Sequence, residues 1–317
     1  MTDTQNEVFK TPVNKIRLFE HGAPGSQNLK LTRKYYTEDM PDGRVKHIVQ
    51  NITDPDIVPY IPDGIGNSTD RQRIPAVLII PGGAFRRLVY NFEGEDVAKW
   101  LNSMGIAAFV LECRLPSDEH DNAEDVPLID AMRAMRVIRG RAQEFGIDEA
   151  KIGVMGFSAG GFMAALLSTA YESDVYADYK YKDEYDKLSA RPDFAVCSYP
   201  VISIDDCIEA GKRYMSEEQV LERISDSKAK ILHKYNPDKL VRPDMPPVFI
   251  CETDDDRTTL SENSVGFYMA ARKAGASAEL HIFRTGGHGY GCGDDFAQTG
   301  EWKVLFTKWI KSIGIIS

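Results

Sequence analysis

The sequence predicts an α/β domain in which a mostly parallel central sheet is covered by helices on both faces. Three observations carry this expectation. Short apolar runs alternate with longer helical segments from residue 76 onward, the rhythm of strands joined by crossover helices. The first run, Ala76–Ile80, is apolar on both faces, as a strand buried between two layers must be. Three helix candidates each stop at a glycine, where a left-handed residue belongs.

Taken in order, residues 1–75 are polar and rich in turn formers such as Gly22-Ala-Pro-Gly25 and Pro62-Asp-Gly64. They read as an N-terminal arm with short strands, Val45–Ile52 among them, belonging to the same domain as residues 76–317. Strands are expected at Ala76–Ile80, Ala107–Leu111, Ile152–Met155, Phe194–Val196, Val248–Cys251 and Ala278–Phe283. Helices are expected at Glu93–Met104, Leu128–Phe145 and Leu260–Ala274. In the second helix Leu128, Met132, Met135, Ile138, Ala142 and Phe145 recur at spacings of three and four, with Arg133, Arg136, Arg139 and Arg141 largely off that stripe. Two charged, aromatic stretches, about 171–191 and 203–245, interrupt the rhythm as insertions, the second with a helix around Glu217–His233. They are candidates for a cap over a pocket or for a subunit interface in a homo-oligomer; for their aromatics, packing is the better reading.

Composition narrows the function classes. The 317 residues are 43% hydrophobic and 27% charged, with a net charge of −10. That acidity speaks against nucleic acid and anionic lipid as partners. No apolar run approaches the roughly 18 residues that cross a membrane. The first residues lack a secretory pattern, so a cytoplasmic address is expected. Cys113, Cys197, Cys207, Cys251 and Cys292 form no C-x-x-C pair and no zinc-type cluster, which points to free thiols, no metal and no cofactor.

The most informative segment is Gly156-Phe157-Ser158-Ala159-Gly160, a G-x-S-x-G pattern between an apolar strand and an Ala/Leu-rich helix. The turn is tight, a Cβ at either glycine would clash, and the serine is lifted above the sheet edge at a helix N-terminus. The competing reading, a Gly-Ser-Gly turn without chemistry, does not need that strand and helix. A nucleophilic serine needs a base and an acid to orient it, here in the chain order Ser, Asp/Glu, His. Of His21, His47, His120, His233, His281 and His288, only His288 lies downstream of an acidic loop and between glycines, in Gly286-Gly-His-Gly-Tyr-Gly291. The acid lies in Thr253-Asp-Asp-Asp-Arg257, where neighbouring side chains point in different directions, so the residues alone leave Asp254, Asp255 and Asp256 open. A cation site there lacks further oxygen ligands at metal spacing. An oxyanion hole is expected from the N–H groups of Gly83 and Ala84, in Pro81-Gly-Gly-Ala-Phe85, beside that of Ala159. A phosphate loop would need a Gly-Lys-Ser/Thr ending, and Arg86-Arg87 is no substitute.

With these residues in view, the chain resembles the α/β-hydrolase superfamily. Within it, it is similar to the bacterial acetylesterase and hormone-sensitive-lipase-like esterases, which include sugar-ester and xylan-ester hydrolases. The resemblance rests on Pro81–Phe85, Glu93–Asn102, Gly105–Leu111, Arg114-Leu-Pro116, Lys151–Gly161, Ser198-Tyr-Pro-Val201, Pro246-Pro247 and Gly286–Tyr290. It implies the α/β-hydrolase fold, Ser158 as nucleophile and His288 as base. Placing Thr253–Arg257 on the family's Thr-x-Asp-Asp pattern implies Asp255 as the acid, with Asp256 as the fallback. Two positions depart from the family. Ala84 replaces the last glycine of His-Gly-Gly-Gly, which requires a negative φ there, and Cys113 replaces a tyrosine before Arg-Leu. The implied activity is a serine carboxylesterase acting through an acyl-enzyme on a small-molecule ester: short acyl groups, acetyl above all, on small sugars or xylo-oligosaccharides. The alternatives are an amidase, aryl-formamidase or peptidase with the same triad, and a non-catalytic binder, against which the presence of His288 argues.

Overall fold

The computed structural model describes residues 9, 12–65, 73–213, 215–216, 218–220, 222, 229–293 and 298–317. Strands in chain order are β1 (Ile16–Arg17), β2 (Lys34–Asp39), β3 (Val45–Gln50), β4 (Asp56–Tyr60), β5 (Ile74–Ile80), β6 (Leu88–Val89), β7 (Ala107–Glu112), β8 (Ile147–Phe157), β9 (Ala195–Ser198), β10 (Val248–Thr253) and β11 (Ala278–Phe283). The main sheet has eight strands in the order β1-β4-β7-β5-β8-β9-β10-β11. From β7 to β11 the pairing is parallel, while β4 runs antiparallel to β7 and β1 antiparallel to β4. This is the α/β-hydrolase fold. Residues Pro75–Ile80 of β5 and all of β7 are buried, so both faces of the sheet are covered.

The arm is woven into this sheet through β1 and β4. Its other two strands form a separate antiparallel sheet, β2-β3-β6, whose last member leaves the Pro81–Arg87 turn directly. A cluster of buried charge ties it down. Glu112, at the end of β7, accepts hydrogen bonds from Lys15 Nζ at 2.6 Å, Arg33 Nη1 at 2.7 Å and Tyr35 Oη at 2.8 Å, and Arg33 also pairs with Asp56.

Helices α1 (Asp96–Ser103), α2 (Val126–Gly140), α3 (Ala142–Phe145), α4 (Ala159–Ala170), α5 (Ile204–Lys212), α6 (Ala229–Lys234), α7 (Ser261–Ala274) and α8 (Trp302–Ser312) fill the connections. The expected first helix begins instead as a wide π-type turn, Asn91–Glu95, which runs into α1. The expected Leu128–Phe145 helix breaks at Arg141, held at φ −101° and ψ 16°. Next to the break, Tyr185 packs so closely that a Cβ on Gly140 would lie 2.3 Å from its ring. The apolar stripe survives the break, since all six of its residues are buried.

The arginines off that stripe grip the first insertion. Arg133 pairs with Asp183, Arg136 donates to Leu188 O at 2.9 Å and to Tyr176 Oη, and Arg139 donates to Arg191 O at 3.0 Å. The insertion reaches the arm as well, through Tyr179 Oη and Gly22 O at 2.9 Å. Tyr176 and Tyr185 of the insertion thus pack along α2, while Tyr179 and the exposed Tyr181 meet the arm. Part of the expected helix around Glu217–His233 lies outside the described residues, and α6 covers its end. Cys113, Cys197 and Cys251 are free and buried, Cys292 is buried, and the Cys207 side chain lies outside the description. No described helix is long and apolar enough to cross a membrane.

Candidate active site

Ser158 sits between the end of β8 and the start of α4 at φ 55° and ψ −118°, a conformation that costs a side-chain-bearing residue about 1–3 kcal/mol. Backbone contact enforces it. A Cβ on Gly156 would lie 1.9 Å from Gly160 O, and one on Gly160 would lie 1.9 Å from Ile80 O, so only glycine fits at either place. Hydrogen bonds from Ser158 N to Ser198 O and from Phe162 N to Ser158 O, both 3.0 Å, hold the turn.

His288 approaches from the loop after β11. Its Nε2 stands 2.9 Å from Ser158 Oγ, and its Nδ1 stands 2.7 Å from Asp256 Oδ2. The acid facing the imidazole is therefore Asp256, the fallback, and the expectation of Asp255 is corrected. The reason lies in the turn that ends β10, where Asp256 N donates to Thr253 O at 3.3 Å and the Asp256 side chain swings inward. Asp255 points outward and accepts the N–H groups of Gly286 and Gly287 at 2.9 and 2.8 Å, tying down the loop that carries His288. Asp254 receives Ser261 Oγ at 3.4 Å. Three adjacent aspartates thus have three separate partners, and no described group of three or more His, Cys, Asp or Glu could hold a metal.

The Asp256 carboxyl is almost fully buried. Burial pushes its pKa up, but the His288 hydrogen bond and charge, with the N–H groups of Thr259 and Thr258, outweigh that and hold it below the ordinary value. Thr259 Oγ1 bridges the pair, 3.0 Å from Asp256 Oδ2 and 3.2 Å from His288 Nδ1. A second buried carboxyl, Glu252, accepts from Thr253 N at 2.9 Å and Ser264 Oγ at 3.2 Å. Burial and the charge of Asp256 push it well above its usual range.

The Pro81–Phe85 turn corrects another expectation. Ala84 has φ 57° and Phe85 φ 59°, so the chain turns left-handed twice, and Arg86 N closes the turn on Gly83 O at 3.2 Å. Phe85 offsets the strain by burying its ring edge-on against Phe162, centroids 5.6 Å apart. Among the described residues, neither the Gly83 nor the Ala84 N–H has an intramolecular partner. The first N–H groups of α4, Ala159 included, lack partners within the helix as at any helix start. Beside the turn lies a cavity of about 10 Å³ lined by Phe85, Cys113, Leu115, Ala159 and Met163, room for one water-sized group.

Glu93 and Tyr199 are the residues that motif reading passes over. Both are buried behind the turn, Tyr199 Oη donating to Glu93 Oε1 at 2.9 Å. Each belongs to a stretch quoted above as a family match, but Glu93 stands in the acidic run Glu93-Gly-Glu-Asp96, where the sequence does not show which carboxylate turns inward. The other histidines are used elsewhere: His281 pairs with Glu279 at 2.8 Å, His120 with Ser26 at 3.0 Å, and His47 stacks on Phe9.

A protein-family model described as BD-FAE matches residues 65–270. The acetylxylan esterase of Xylanibacter ruminicola is 31% identical over 240 residues, covering 75% of this chain and 45% of that protein. The endo-1,4-beta-xylanase B of Butyrivibrio fibrisolvens is 31% identical over 227 residues, covering 71% of this chain and 34% of its own. The chain thus spans less than half the length of these curated relatives. Among solved structures, an acetyl ester-xyloside bifunctional hydrolase from Caldicellulosiruptor lactoaceticus is 38% identical, with a TM-score of 0.66, covering 83% of this chain and 90% of that one.

Proposed function

The chain belongs to the BD-FAE family, and from that premise we propose that it is a serine carboxylesterase that removes short acyl groups, acetyl above all, from small sugars or xylo-oligosaccharides. The observation that carries this reading is the continuous relay from Ser158 Oγ through His288 to Asp256, with links of 2.9 and 2.7 Å. His288 takes the serine proton as Oγ attacks the ester carbonyl, and Asp256 holds the imidazole and stabilises its charged form. The N–H groups of Gly83, Ala84 and Ala159 receive the oxyanion. His288 then protonates the leaving alcohol, and a water activated by the same ring hydrolyses the acyl-enzyme.

Two further observations favour a small acyl group and a sugar alcohol. The cavity beside the oxyanion turn is small and lined mostly by apolar side chains, which suits a short acyl group. Acetyl and xylose chemistry recur in the names of a relative and a solved structure. The buried free thiols of Cys113, Cys197 and Cys251 suit a reducing compartment such as the cytoplasm. The test is turnover of an aryl acetate, an acetylated xylo-oligosaccharide and an aryl anilide by the wild-type protein and by Ser158→Ala. The esters are expected to be cleaved and the anilide spared, with Ser158→Ala losing about 10⁴-fold or more while unfolding at the wild-type temperature. Ester cleavage retained by Ser158→Ala overturns the assignment, and a preference for the anilide makes the protein an amidase.

A further inference from the structure

Behind the relay a second chain of hydrogen bonds connects the two loops that face each other across Ser158. Gly291 N donates to Tyr199 Oη at 3.0 Å, Tyr199 Oη donates to Glu93 Oε1 at 2.9 Å, and Gly82 N donates to Glu93 Oε2 at 2.8 Å. Gly82 adjoins Gly83 in the oxyanion turn, and Gly291 lies three residues beyond His288. The Tyr199 ring also meets the imidazole edge-on, centroids 5.0 Å apart, and Tyr199 O accepts Thr259 Oγ1 at 3.2 Å. Tyr199 achieves this at φ 36°, a left-handed conformation that costs a tyrosine free energy and is held by a 2.7 Å bond from its N–H to Cys251 O.

The chemistry of the centre is specific. Both neighbours of Glu93 arrive as donors, one at each oxygen, and a carboxylate accepts at both. An amide keeps both links only if the Tyr199 hydroxyl turns round to accept from its NH2, whereas an apolar side chain of the same length keeps neither. Burial opposes that charge and pushes the Glu93 carboxyl up, the nearby His288 being the strongest influence the other way. There is also no slack at the turn. A Cβ on Gly82 would lie 2.5 Å from Phe157 O, 2.7 Å from Glu93 Oε2 and 2.9 Å from Ser158 Cβ. Displacement of Glu93 therefore displaces the backbone that carries the oxyanion donors.

We propose that Glu93 and Tyr199 are positioning residues, a single buried strut that sets the oxyanion turn and the His288 loop at working distance from each other. This rests on the esterase reading above. Neither residue touches substrate; both act through Gly82 and Gly291. Because the strut aligns groups that matter as charge develops, its loss lowers kcat and leaves KM nearly unchanged.

The experiment measures kcat, KM and thermal unfolding on an aryl acetate for the wild type, Glu93→Met, Tyr199→Phe and the double variant. Each single variant is expected to lose about ten- to a hundredfold in kcat with KM within about twofold. The double is expected to be no worse than about threefold below the poorer single, since one broken strut cannot be broken twice. Single variants with wild-type kcat, a change confined to KM or to the unfolding temperature, or losses that multiply in the double overturn the strut. Glu93→Met keeps the length of the side chain and decides on its own if Tyr199→Phe does not fold. Wild-type turnover that Ser158→Ala abolishes but Glu93→Met leaves intact sinks the strut alone. Absence of wild-type turnover sinks the esterase reading and the strut with it.

Discussion

Two buried polar clusters lie at the same end of the sheet, one after β8 and one at the tip of β7. The arm cluster joins Lys15, Arg33, Tyr35, Asp56 and Glu112, and the site cluster joins Ser158, Asp256, Thr259 and His288. Both centre on a carboxylate whose side chain is 0% exposed. In the arm cluster cations from two different segments close on Glu112, so charge is cancelled by charge and the chain is pinned. In the site cluster Asp256 faces an imidazole, and the series ends on a hydroxyl that the fold does not need. Opposite ions closed on each other fix a segment; a relay that ends on an unclaimed oxygen is available for chemistry.

Removing the central carboxylate from each cluster breaks this comparison most sharply. Asp256→Asn is expected to cut kcat by about 10³- to 10⁴-fold, because the amide no longer stabilises an imidazolium, with little change in unfolding. Single-turnover kinetics beside a melting curve separates the two effects. Glu112→Ala is expected to do the reverse. It leaves the partly buried Lys15 without its carboxylate, while Arg33 keeps Asp56, and costs about 3 kcal/mol in denaturant titration, while folded protein keeps its kcat. Equal losses of kcat in both variants would erase the distinction.

Smaller effects sharpen it. Asp255→Asn keeps one acceptor oxygen for the Gly286 and Gly287 N–H groups, so about a tenfold or smaller loss of kcat is expected. A loss as deep as that of Asp256→Asn would return the acid role to Asp255. Glu252 measures what the site cluster costs the fold. Its folded-state pKa is raised above the ordinary 4.5, so the stability it contributes is complete below that pH and is lost as pH rises through the folded value. Glu252→Gln removes this loss. Its melting-temperature gain over the wild type should be near zero at about pH 4 and grow by a few degrees toward neutrality. A gain independent of pH would show that the charge is not the cause.

The parts of the fold legible in the sequence are those set by local sterics. A wholly apolar Ala76–Ile80 has to lie between two layers, and Gly156 and Gly160 betray a turn in which backbone touches backbone. What stayed hidden depends on direction or distance. Which of three neighbouring aspartates turns inward is set by a hydrogen bond closing the end of β10, and Thr-x-Asp-Asp matching lands one residue early. The left-handed Ala84 is paid for by the packing of Phe85 on Phe162, a contact between segments. Glu93 and Tyr199 are 106 residues apart and belong to different elements, so nothing in either neighbourhood announces the other. The arginines along α2 likewise look like a solvated face until the insertion that they hold is in place.

One consequence concerns order in time. Ser158 and His288 are separated by 130 residues, and the histidine loop follows β11, the last described strand in the chain and the edge of the main sheet. A growing chain released as far as Asp256, three residues past β10, contains the nucleophile and the acid but no base, so it has nothing to cut with. On the proposed esterase reading, cleavage waits until β11 docks against β10 and brings His288 to Ser158. In refolding or cell-free synthesis, the onset of ester cleavage then marks the latest time by which that docking has occurred, readable without a label or a structural probe.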